Sequence, residues 1–368
     1  MNNKGENMTN LKKVGLTALA GSLAAVSAQA GELSVSGGAS ITYVTGETAN
    51  SAQSIGQASG FTLSGSGDLD NGWSVSHDVI FGSAGAYSSS GTTITMGSMG
   101  SIATGSAVSI NGAYDEAYPR AYEEATDGDV SGTDAMNDMG AFAGVNALVY
   151  NAPAMDVMGT SVALGIEYSP NSGSNATAGS GQARSDATGE ALGVGLTVTT
   201  DMGLTVGAYG ATMDDDQSTS ALTGDMSNDG RKGAFDGTWF ANYSMGPVSI
   251  GYQTSYIDRG IELTADTATT SAKTVGTSGG LFEGEALSIA FNVNDDLSVS
   301  YTDKEDTYDA QDGANSIADV TMNTESLQVA YSMGSMSIKA YSTETSNPNF
   351  DGDADKRTVT EIALGIAF

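Results

Sequence analysis

Large apolar side chains alternate with small or polar ones along most of this chain. In the closing segment from Thr358 to Phe368, Ile362, Leu364, Ile366 and Phe368 fall on one side and Glu361, Ala363, Gly365 and Ala367 on the other. Successive side chains of a strand point to opposite faces, so the segment predicts a strand with one apolar face. The same split separates Leu192, Val194, Leu196 and Val198 from Ala191, Gly193, Gly195 and Thr197. It recurs in Leu287, Ile289, Phe291 and Val293 against Ser288, Ala290, Asn292 and Asn294, and in Leu327, Val329, Tyr331 and Met333 against Ser326, Gln328, Ala330 and Ser332.

The pattern predicts sixteen strands, at 32–43, 58–68, 72–82, 91–97, 100–106, 143–151, 160–168, 189–200, 203–213, 236–245, 247–258, 284–293, 297–306, 323–332, 336–345 and 357–368. Most have about the ten residues that a tilted strand needs to cross a hydrocarbon layer. Their connections alternate in length. Short links rich in turn formers occur at 68–72, 97–100, 200–203, 244–247, 294–296 and 332–335, with a longer one from Pro153 to Gly159. Long polar segments lie between them, at 170–188, 214–235, 259–283 and 307–322. Short turns at one rim and long loops at the other predict an all-β fold, a transmembrane antiparallel barrel with short periplasmic turns and long extracellular loops. Closure is required because open strands cannot satisfy their backbone groups in lipid. Hydroxyls, amides and small residues on the inner face are expected to leave room for water. Trp73, Trp239, Tyr168, Tyr243, Tyr252, Tyr256 and Phe368 are candidates for the interfacial girdles.

The first thirty residues read differently. Lys12 and Lys13 precede an apolar run from Val14 to Val26, and Ala28-Gln29-Ala30 supplies a small-x-small cleavage pattern. Residues 1–30 are thus expected to be a secretory signal peptide, with Met8 as an alternative start, and 31–368 the barrel. The run is too short to cross a bilayer as a helix.

Charge and composition sharpen this picture. The chain carries 44 acidic against 13 basic residues, a net charge of −31, which argues against binding nucleic acid. Most carboxylates fall between the alternating segments, on loops. There is no cysteine, and five prolines leave long strands uninterrupted.

Sixteen strands, an export signal, the terminal Phe368, the strand Thr92-Thr93-Ile94-Thr95-Met96-Gly97 and a very long third loop together resemble the trimeric general porins of Gram-negative bacteria, in particular the alphaproteobacterial type. The resemblance covers the whole mature chain. It implies an outer-membrane channel for passive diffusion of small hydrophilic solutes and ions, a homotrimer seated in outer-membrane lipid, and a role for Phe368 as the membrane assembly signal. It also implies that the third loop, here about 107–140, folds into the barrel and that its acidic side chains face basic ones on the wall.

That loop carries Asp115, Glu116, Glu123, Glu124, Asp127, Asp129, Asp134 and Asp138, with Arg120 as its only cation. The early strands from 58 to 106 contain no Lys or Arg, so the wall candidates are Lys339, Arg357, Arg259 and Lys304, with only Lys339 expected well inside a strand. The constriction is therefore expected to involve Asp115, Glu116, Arg120, Glu123, Glu124, Asp127, Asp129 and Lys339, and to prefer cations. Within the loop, residues 127–138 place Asp127, Asp129 and Ser131 at positions one, three and five, glycine at six and Asp138 at twelve, a partial calcium-loop pattern. Calcium is the sole cofactor to which the residues point.

Catalysis has little support. His77 is the only histidine, and no phosphate loop or nucleophile elbow occurs. Val75, His77 and Val79 share the outward face, where the neighbouring glycine- and serine-rich strands favour packing against another subunit. The competing reading is an acidic, calcium-stabilised all-β surface protein of the S-layer or adhesin kind.

Overall fold

The computed structural model describes residues 31, 33–47, 53–106, 108–126, 135–136, 139–140, 147–170, 190–213, 234–258, 280–309 and 319–368. The signal-peptide segment 1–30 lies outside them. Seventeen strand segments form one sheet: β1 (Leu33–Glu47), β2 (Ser54–Asp68), β3 (Ser74–Phe81), β4 (Tyr87–Thr95), β5 (Ser101–Gly105), β6 (Leu148–Asn151), β7 (Met155–Val157), β8 (Thr160–Ser169), β9 (Ala191–Thr200), β10 (Leu204–Met213), β11 (Ala234–Met245), β12 (Val248–Asp258), β13 (Leu281–Asn292), β14 (Leu297–Asp309), β15 (Val320–Met333), β16 (Met336–Ser346) and β17 (Arg357–Ala367). Both β6 and β7 pair with β8, so they are one interrupted strand and the barrel has sixteen.

Every pairing is antiparallel, and β17 pairs with β1 to close the ring, with Ile362 opposite Tyr43 and Leu364 opposite Ile41. The last residue completes the seam: Phe368 and Gly37 exchange two backbone hydrogen bonds of 2.9 Å. Closure leaves no sheet edge unpaired.

Alternation sorts the two faces as expected. Leu287 (56% exposed), Leu327 (61%), Ile250, Leu192 and Ile362 stand outward, a continuous apolar band far beyond what a soluble surface carries. Outward aromatics sit near both rims. Tyr243, Phe291, Tyr331 and Phe368 lie toward the short turns, and Tyr168, Phe235 and Tyr256 toward the long loops. Trp239 packs against Tyr252 in mid-strand, the rings tilted by 46° with centroids 5.3 Å apart.

Two sequence expectations need correction. The sixth strand does not end at Asn151: Pro153 has no N–H for the ladder, pairing lapses, and the strand resumes at Met155. The expected long link 153–159 shrinks to Met158-Gly159, both in the left-handed region at φ 55° and 80°, between the paired Val157 and Thr160. Strands on the loop side also run longer than the apolar pattern. β14 continues to Asp309 and β13 begins at Leu281, because the ladder extends past the band and carries Glu283, Glu285, Asp303 and Glu305 outward. Apolar alternation marks only the part of a strand that meets hydrocarbon.

Candidate pore constriction

The third loop connects β5 to β6 and folds inside the barrel, lying along one wall from β8 to β17. Its root is held by Glu167 of β8, fully buried, which accepts hydrogen bonds from the Ser109 hydroxyl (2.7 Å), the Ile110 N–H (2.9 Å) and the Tyr209 hydroxyl (2.6 Å). Tyr114 packs next, stacked on Tyr209 with centroids 5.4 Å apart and tilted against Phe240. A methyl group at Gly195 of β9 would occupy the space of the Tyr114 ring, and one at Gly251 of β12 would meet Pro119. These strand glycines let the loop backbone approach the wall. Burial pushes the Tyr114 hydroxyl above its ordinary value of 10.0, against the opposing bond from Thr197.

Two glutamines then clasp the loop backbone as a neighbouring strand would. Gln253 accepts from the Ala117 N–H and donates to the Tyr114 carbonyl at 2.7 Å. Gln328 of β15 accepts from the Tyr122 N–H at 2.9 Å and donates to the Glu123 carbonyl at 2.6 Å. Between them Asn242 donates to the Ala117 carbonyl, Ser288 to the Pro119 carbonyl, and Ser300 accepts from the Ala121 N–H. The far end is pinned by Tyr122. Its hydroxyl donates to Glu361 of β17 (2.9 Å), Lys339 of β16 lies 4.9 Å from its ring centre, and Tyr341 packs beside it at 6.0 Å. The loop returns along the same wall, where Asp306 accepts from the Ala135 N–H and Asp236 from the Gly140 N–H.

The inner polar face of β11 to β15 is thus a docking strip. Gln253, Gln328, Ser288 and Ser326 are buried under the loop, contrary to the expectation that such residues stand in water. An inward polar position reads the same whether water or a loop backbone takes its hydrogen bonds, so the sequence pattern could not separate the two.

The expected constriction residues part into groups. Glu116 turns toward the wall: it is fully buried, its Oε1 lies 2.9 Å from the Lys304 Nζ, and it accepts from the Tyr118 hydroxyl at 3.1 Å. Lys304 also lies 3.7 Å from Asp306 and sits well inside β14, not near its end as the shorter expected strand implied. Arg120 and Glu124, both half-buried, form an ion pair of 2.8 Å and largely cancel. Lys339 lies over the Tyr122 ring, whose hydroxyl donates to Glu361. Asp115 is half-buried, and Glu123 is half-exposed with only its backbone carbonyl engaged. Asp127, Asp129, Ser131, Asp134 and Asp138, with the calcium pattern they form, lie outside the described residues, as does Arg259. Arg357 points inward at the loop-side end of β17. No group of three metal-ligating side chains occurs among the described residues.

With the loop on the β8–β17 wall, the opening is bounded on its other side by β1 to β5. Their inward residues are mostly small: Ser34, Ser36, Ser40 and Thr42 on β1, Thr62, Ser64 and Ser66 on β2, Ser74 and Ser76 on β3, Thr93 and Thr95 on β4, Ser101 and Ala103 on β5, with Asp78 and Ile80 of β3 as larger exceptions. Outside this wall His77 faces away from the lumen, its Nδ1 2.8 Å from the Thr92 Oγ1.

A closed sixteen-stranded barrel with an apolar outer band and a long loop folded against its inner wall is the porin fold. Solved structures share it. Salmonella typhi OmpF in complex with daunomycin superposes with TM-score 0.65 at 13% identity, covering 91% of this chain and 97% of that one. The anion-selective porin of Comamonas acidovorans gives 0.60 at 13% identity, covering 92% and 99%. OmpT, an outer membrane protein of Vibrio cholerae in its trimer form, gives 0.56 at 11% identity, covering 92% and 100%. No protein-family model and no curated protein matches the chain.

Proposed function

We propose that this protein is an outer-membrane porin of a Gram-negative bacterium, a water-filled channel for passive diffusion of small polar solutes and ions. The observation that carries it is the inward loop, which covers one half of the inner wall and leaves the opposite, hydroxyl-lined half open within a barrel whose outer face is apolar. Such a passage sorts solutes by size and by the sign of charge at its narrowing. Acidic side chains outnumber basic ones there among the described residues, which supports cation preference. The apolar outer band favours a membrane seat over a soluble surface protein. The outward face of β1 to β5, with His77 at its centre, is the surface assigned to trimer contacts. Kinship with the alphaproteobacterial type rests on the sequence layout, and calcium at 127–138 remains a proposal of that sequence, tested by calorimetry on wild type against D127N/D129N.

The test is solute uptake by proteoliposomes. Swelling in neutral sugars of graded size, with a sharp cutoff, is the expected result. Folded protein that leaves vesicles impermeable to all of them contradicts the reading.

A further inference from the structure

One carboxylate stands on the hydroxyl wall. Register places Asp78 of β3 opposite Ser64 of β2 and Gly91 of β4, and Gly91 opposite Gly105 of β5. Residues directly opposite on antiparallel strands share a face. His77 and Val79 point outward, so Asp78 points into the lumen with Ser74 and Ser76. Every other inward residue of β1 to β5 between the two rims is uncharged; Asp68, the next acid on this face, ends β2 at the short-turn rim.

Its height is that of the third loop. Val108, at the loop root, lies over Gly91, the register partner of Asp78. Counted from the short-turn ends of their strands, Asp78 is four residues into β3, Lys339 three into β16 and Glu361 six into β17, where the loop's far end is pinned. Asp78 is only half-buried and has no ion pair or hydrogen bond among the described residues.

The charges around the opening then reduce to a simple balance. Arg120 pairs with Glu124, and Lys339 and Glu361 are neighbouring opposite charges on β16 and β17 that both contact Tyr122. Glu116, Lys304 and Asp306 are buried in the wall, away from the water. Among the described residues this leaves Glu123 and the half-buried Asp115 on the loop and Asp78 on the facing wall. From this geometry we propose, building on the channel reading above, that Asp78 is a selectivity-determining residue: with Glu123 it presents negative charge from both sides of the opening. A passage lined by a loop of one sign and a wall of the other sets up a transverse field. Here both sides attract the same ion, and low-dielectric walls focus the potential into the water between them.

The experiment is the reversal potential of the reconstituted, full-length protein in a tenfold potassium chloride gradient. It compares wild type with D78N, D78K, E123Q and D68N, each verified as folded by heat-modifiable migration. A single charge about 4–6 Å from the ion path, screened at about 0.1 M salt, raises the local cation concentration about two- to three-fold and lowers that of anions equally, so it changes their ratio about four- to tenfold. D78N is expected to lower the cation-to-anion permeability ratio by about that factor, D78K by more, and D68N hardly at all. The differences are expected to fade when both solutions approach 1 M salt, where screening shortens to about 3 Å. Unchanged ratios in both D78N and D78K, with E123Q shifted, overturn the assignment while leaving the channel reading intact. A D68N shift as large as that of D78N also overturns it, because rim charge would then set the sign. Wild-type protein that is folded yet conducts nothing overturns the channel reading and this proposal together.

Discussion

At the scale of single residues, the inner wall works through pairs of groups that leave no room for substitution. Lys304 and Glu116 are both wholly buried, and the Glu116 backbone sits in the left-handed region at φ 38°, a conformation that costs roughly 1 kcal/mol or more for a residue other than glycine. The ion pair holds that turn against the wall. Removing one partner of a buried pair leaves an uncompensated charge, which costs about 3–5 kcal/mol. K304M is therefore expected to free the third loop, read as new protease cleavage near residues 114–126, and K304M/E116Q to recover part of the protection. Equal protection in K304M and wild type contradicts the role. Gln253 and Gln328 act on the backbone instead, two hydrogen bonds apiece at about 1 kcal/mol each. The double variant Q253A/Q328A should give conductance that is larger and noisier, because the loop then moves off the wall. Glu116 and Lys304 were legible as a loop acid and a wall base, but their pairing was not, because they lie 188 positions apart, and an inward glutamine gives no sign of what it binds.

At the scale of elements, strands and short turns were legible because hydrocarbon and tight turns each impose a pattern of their own. Each of the sixteen expected strands has a counterpart in the barrel; many loop-side edges were placed short because the ladder continues into water beyond the apolar band, and the sixth was placed wrongly because it is interrupted at Pro153 and resumes at Met155. The link expected at 153–159 hid β7 and its tight turn to β8 for a different reason. Its first turn residue, Met158, is fully exposed in a left-handed conformation that a sequence rule assigns to Asn or Gly. M158N is accordingly expected to stabilise the barrel by about 0.5–1 kcal/mol, measured as a higher denaturant midpoint of the folded, detergent-solubilised protein. A lower midpoint rejects this view of the turn. On the outward face of β3, H77E places a negative charge where a subunit contact is assigned. Loss of a heat-stable oligomer band, with the monomer barrel still heat-modifiable, is the expected outcome; an unaltered oligomer moves the interface elsewhere.

At the scale of the whole molecule, the loop divides the barrel into a covered half and an open half. β8 to β17 supply amides, carboxylates and glycines that receive the loop, whereas β1 to β5 supply hydroxyls that border the opening. The acids of the third loop and the lack of Lys or Arg on the early strands pointed to cations, but the position of the negative charge depends on where the loop lies, which no local pattern specifies. Single-channel conductance of the refolded protein in a planar bilayer under a salt gradient tests the central claim most directly. Large conductance steps grouped in threes, with a reversal potential of the sign set by cation preference, are expected of a trimeric channel narrowed by the acidic loop. Folded protein that gives no steps, or steps that favour anions, contradicts it.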